Sequence, residues 1–137
     1  MELKSIEQLE KDVWKEPSEF PTDLVAKCYR YRKINIPELS NEQIRILISQ
    51  KIGIEYLIGI ALEKLEQNVL TECDFYAGDL LVAISNVPTE FWNENQTEFL
   101  TFKNIVEKSS ELIKNELGEN KFDQINEKIK ASCQHSV

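Results

Sequence analysis

The sequence predicts an all-α fold: a compact single-domain bundle of about seven helices around a central apolar helix near residues 54–66. Three observations predict it. Apolar residues recur at three- and four-residue spacing along nearly the whole chain. Two capping boxes, Ser5 with Gln8 and Ser40 with Gln43, each stand directly ahead of such a stripe. The 137 residues hold only four glycines and four prolines, too little turn chemistry for an all-β chain.

Ile6, Leu9 and Val13 form the stripe behind Ser5. Pro17 and Pro21 interrupt the chain, and Leu24, Val25 and Cys28 begin a second helix expected to reach about Lys33. Pro37 separates it from a third, which carries Ile44, Leu47 and Ile48, and Gly53 is the expected joint to the fourth. There Ile54, Leu57, Ile58, Ala61, Leu62 and Leu65 share one face, while Tyr56 and Ile60 widen it. A helix apolar over so much of its circumference belongs in the middle of a bundle. Residues 68–79 read as a connection to a helix holding Leu80, Leu81 and Ile84, and Pro88 opens a short segment with Phe91 and Trp92. A long helix from about Thr97 to Leu117 should turn Phe99, Phe102, Val106 and Ile113 inward and stop at Gly118. The last helix carries Phe122, Ile125 and Ile129, with residues 132–137 expected as a mobile tail. No repeat or linker divides the chain, so one domain is expected over residues 1–137.

The formal net charge is −8, and residues 52–102 account for all of it, with nine acids against the single base Lys64. Residues 1–26 sum to −4, residues 27–51 to +4 and residues 103–137 to zero. Such a field repels nucleic acid and anionic lipid and attracts a basic protein surface. The N-terminus builds no apolar run of the kind a secretory signal needs. The most apolar window, Ile52 to Leu62, is interrupted by Glu55 and is shorter than the roughly 20 residues that cross a bilayer. The cytoplasm is the expected location, where the widely spaced Cys28, Cys73 and Cys133 would be free thiols.

Catalytic chemistry finds little to stand on. The single histidine, His135, is third from the end and reads as a solvated terminal residue rather than a base. The cysteines lie 45 and 60 residues apart, which excludes a zinc knuckle, and Cys73 stands between acids that raise its pKa. No glycine-rich phosphate loop is present. Carboxylate pairs such as Glu63 with Glu66 lack supporting ligands and read as solvated faces. No catalytic residue, metal ligand or cofactor is therefore expected.

Two segments stand out. In Lys27–Lys33 basic and aromatic residues alternate, as on nucleic-acid-binding surfaces, but pairing with the acids of 52–102 or snorkelling is the favoured reading. The second, Asp74–Leu81, holds two aspartates and two aromatics, with Glu90, Trp92 and Glu94 nearby. It can be a recognition surface made of Glu72, Asp74, Tyr76, Asp79, Glu90, Trp92 and Glu94. Equally, Asp74 and Asp79 can be local helix caps, with Gly78 allowing a tight approach.

At these residues the chain resembles the immunity proteins of bacterial contact-dependent growth inhibition systems. The resemblance runs through Trp14-Lys15-Glu16-Pro17, Phe20-Pro21, Leu24-Val25 and Cys28-Tyr29-Arg30. It continues over Arg45-Ile46-Leu47-Ile48, Gln50, Gly53 to Ile58 and Ala61-Leu62, and closes with Asp74-Phe75-Tyr76 and Gly78-Asp79-Leu80-Leu81. It covers about residues 10–95, and residues 96–137 match only generic helix. The resemblance implies a small cytoplasmic helical protein that binds its cognate toxin's C-terminal domain one to one and catalyses nothing. Such toxin domains are often basic nucleases, blocked at the active site or substrate groove. The competing class is an acidic adaptor for another basic cellular partner, and gene context separates the two: an immunity gene follows its toxin gene.

Overall fold

A computed structural model of the chain describes residues 4–134. The described residues form nine α-helices and no strand beyond two isolated bridges. Both capping boxes close. Ser5 Oγ accepts the Gln8 N–H at 3.2 Å while Gln8 Oε1 accepts the Ser5 N–H at 2.9 Å, starting α1 (Ile6–Glu10). Ser40 and Gln43 do the same for α3 (Asn41–Ser49), at 3.1 and 2.9 Å. Between them α2 (Asp23–Tyr31) starts at Thr22, whose hydroxyl accepts the Val25 N–H.

α1 is shorter than its stripe. Lys11 takes a left-handed conformation at φ 54°, ends the helix and leaves Val13 74% exposed. The irregular arm that follows is held by Arg32, which is only 1% exposed. Arg32 Nη2 donates to Glu10 Oε1 at 2.6 Å and to the Asp12 carbonyl at 2.8 Å, and its guanidinium lies 3.9 Å from the Trp14 ring centre. Trp14 and Phe20 both meet Tyr29 edge-on, and Lys33 pairs with Glu16. The basic and aromatic segment is thus engaged internally at Arg32, Lys33 and Tyr29. Its acidic partners, however, are Glu10 at the end of α1 and Glu16 in the arm, and not residues of 52–102.

Gly53 is the joint between α3 and α4 (Ile54–Gln67). It sits at φ 65°, and a Cβ there would lie 2.7 Å from Ile6 Cδ1, so both backbone and packing require glycine. α4 is the central post: Ile54, Leu57, Ile58, Ala61, Leu62 and Leu65 are all buried, and it packs against α3, α7 (Gln96–Lys108) and α5 (Asp79–Ser85). One continuous buried cluster runs from Ile6 to Ile129.

The expected helix over 97–117 is two helices, α7 and α8 (Ser110–Leu117), broken at Ser109. Adjacent serines compete for backbone hydrogen bonds and commonly mark a kink. With the short α6 (Thr89–Glu94) a helix in its own right, this break accounts for nine helices where about seven were expected. α9 (Glu119–Gln134) follows Gly118 at once and runs past the expected start of the tail, with Ser132 buried. Residues 135–137, with His135, lie outside the described residues. No described helix is long and apolar enough to cross a membrane.

Candidate binding surface

The loop between α4 and α5 is built around one carboxylate. Asp79, 3% exposed, opens α5 and turns both oxygens back onto the loop. Oδ1 accepts the Cys73 N–H at 2.7 Å, and Oδ2 accepts those of Phe75 at 3.1 Å and Tyr76 at 3.5 Å. The Gly78 N–H reaches the Leu70 carbonyl at 3.1 Å, and a bridge joins Glu72 to Ala77. Gly78 sits at φ 96°, where an added Cβ would come within 3.1 Å of Leu117. The close approach expected of this glycine is therefore against α8.

α3 completes the lock. Arg45 donates from Nε and Nη2 to the two oxygens of Glu42, at 2.7 and 2.5 Å, and its Nε stands 4.0 Å from Asp79 Oδ2. Glu42 also accepts the Asp74 N–H at 3.2 Å, and the Arg45 guanidinium lies 4.7 Å from the Phe75 ring centre. Ligand atoms of Glu42, Cys73 and Asp79 fall within 4.8 Å of one another, a spacing a metal could use. Their oxygens already serve Arg45 and the backbone N–H groups, and Cys73 is unsuited to donate a thiolate. Burial first, then the nearby Asp79 charge, pushes that thiol up to about 12.

Glu42 gives this lock a pH dependence. The Arg45 hydrogen bond holds its carboxyl below the ordinary 4.5, against the opposing effect of burial. A carboxyl more acidic in the folded than the unfolded chain stabilises fully above the unfolded value, and loses that contribution as pH falls through the folded one. Urea unfolding of wild type and Glu42→Gln should therefore differ most above pH 4.5 and converge below it. A gap that stays constant through that range would show that Glu42 does not titrate against Arg45.

The structure divides the expected recognition residues. Glu72, Asp74 and Tyr76 are exposed on this loop, whereas Asp79 is interior and acts as the clasp. Glu90 and Glu94 are exposed on α6, where they line a cleft of about 400 Å³ with Glu10, Lys51 and Glu55. Trp92 does not join them. It is 2% exposed and stacks on Phe102 at 5.6 Å with the planes 7° apart, while Phe91 and Phe99 also touch its ring. At about 100° per residue, Glu90 and Glu94 share one helical face and Trp92 must take the other. α5, seven residues and about 10 Å long, separates the loop from α6 along the chain. Sequence reasoning noted the aromatic pair but left Phe75, 70% exposed beside Tyr76, out of the contact set, and it missed the Glu42–Arg45 pair that holds the loop from more than 25 residues upstream.

Comparison with known proteins agrees with this architecture at one level. No curated protein and no solved structure gives a significant match. The family model described as CDI immunity proteins matches residues 8–102, which takes in the arm, the central helix, the clasped loop and α6. Over two thirds of its length, then, the chain belongs to the CDI immunity protein family.

Proposed function

We propose that this protein acts in the cytoplasm as a one-to-one inhibitor of a nuclease toxin domain, covering that domain's basic active site or substrate groove and catalysing no reaction itself. Family membership supplies the coarser half, a cognate CDI toxin as partner. The observation that carries the rest is electrostatic. Of the nine acids in residues 52–102 only Asp79 is buried and Glu98 half-buried, which leaves seven exposed. The one base in that stretch, Lys64, is itself half-buried. A nuclease groove must be electropositive to hold a polyanion, and an acidic inhibitor both matches it and is steered to it. The contact set keeps Glu72, Asp74, Tyr76, Glu90 and Glu94, and gives Asp79 and Trp92 to the interior.

Reversing Glu72 and Asp74 together to lysine should slow association with the toxin domain about tenfold or more at low salt. The melting temperature should stay unchanged, because both side chains are exposed. The probe is the C-terminal domain of the large secreted protein encoded directly upstream, followed by stopped-flow binding at two salt concentrations. Association at the wild-type rate would take this loop out of the interface. Tight binding that ignores salt would keep the inhibitor and discard electrostatic matching.

A further inference from the structure

We propose that Phe75 and Tyr76 are the anchor that seats this protein on its toxin, and that the toxin meets them with an apolar pocket rimmed by basic groups. The proposal rests on the toxin-binding reading above and assigns affinity to two rings, leaving the acids to steer.

Phe75 is 70% exposed and Tyr76 43%, adjacent in the chain and outside the core. The backbone that carries them is fixed. The N–H groups of Cys73, Phe75 and Tyr76 are held by Asp79, that of Asp74 by Glu42 and that of Gly78 by the Leu70 carbonyl. Rings displayed on a backbone already fixed lose little freedom when a partner covers them, so their burial converts efficiently into affinity. Paired aromatics at the centre of an interface, ringed by polar groups, are the usual arrangement of a binding hot spot.

The surroundings specify the partner. Beside Phe75 lies a cleft of about 280 Å³ lined by Leu24 and Ile46 together with Lys27, Glu42 and Arg45, room for a partner's apolar side chain. Around the rings Glu42 and Arg45 neutralise one another and Asp79 is interior, which leaves the exposed Glu72 and Asp74 against Lys27. The balance is −1, so the complementary face is basic around an apolar centre. A nuclease groove flanked by a hydrophobic pocket fits that description, whereas a second copy of this acidic face would repel it.

Calorimetric titration of the upstream-encoded toxin domain with wild type, Phe75→Ala and Phe75→Trp, alongside sedimentation of each protein alone, tests the assignment. Phe75→Ala should weaken binding about 30-fold or more while the melting temperature falls by only a few degrees through loss of the Arg45 contact, and Phe75→Trp should bind nearly as wild type. Wild-type affinity in Phe75→Ala, with wild type itself binding tightly, overturns the anchor and leaves the inhibitor reading intact. A wild-type dimer that Phe75→Ala dissolves, at unchanged toxin affinity, gives the face to a second copy and also overturns it. Failure of wild type to bind the toxin domain overturns the toxin-binding reading, and the anchor with it.

Discussion

Trp92→Ala is expected to destabilise the protein by about 3–5 kcal/mol, as deletion of a large buried aromatic generally does. The ring is 2% exposed and touches Phe91, Phe99 and Phe102, so truncation removes the shared centre of an aromatic cluster that joins α6 to α7. α6 has only six residues and cannot hold its shape alone. Its register, and with it the outward aim of Glu90 and Glu94, depends on Trp92. A melting temperature lower by roughly 10–20 °C should accompany the loss. Urea unfolding measures it directly. Stability near wild type together with lost toxin binding would put Trp92 at the interface and contradict the packing described above.

The same residue shows what was legible in the chain and what was not. Helices were legible where their chemistry is local: both capping boxes formed as written, and the apolar breadth of Ile54–Leu65 identified the central post. The break at Ser109 was hidden because Val106 and Ile113 are seven residues apart, close to two turns, so one apolar face survives the kink. Lys11 gave no sign of its left-handed turn, since that conformation usually falls to glycine or asparagine. It is favoured here by what it makes possible, the Asp12 carbonyl meeting Arg32.

At the surface, net charge was legible from composition alone, because acids without bases to pair them mostly stay in water. Alternation at 90, 92 and 94 is a strand pattern, and helical geometry forbids one face from showing all three. That geometry by itself assigns Trp92 to the core. The Glu42–Arg45 contribution had no such signal, because it reaches the loop across tertiary space. Phe75 had one: an aromatic in a polar connection with no apolar residue at helical spacing to share its burial.

Asp79→Ala carries the second large expectation, a loss of about 2–4 kcal/mol. The backbone N–H groups of Cys73, Phe75 and Tyr76 lose their acceptors at one stroke, and Arg45 loses one of its two acidic neighbours. Water can reach the exposed outer part of the loop at Phe75 and Tyr76, and it compensates least at half-buried Cys73. That difference offers a readout beyond stability. The Asp79 charge is the second cause holding the Cys73 thiol up at about 12, so its removal must lower that value and raise the thiolate fraction at mildly alkaline pH. Alkylation of Cys73, followed by peptide mass spectrometry so that Cys28 and Cys133 are counted separately, should therefore speed up in Asp79→Ala while the other two keep their rates. Toxin affinity should fall as well, although Asp79 touches no partner, because the anchor rings would be released from a fixed loop into a mobile one. If Cys73 reacted no faster and the melting temperature held, Asp79 would not be the clasp, and the rigidity attributed to this loop would need another source.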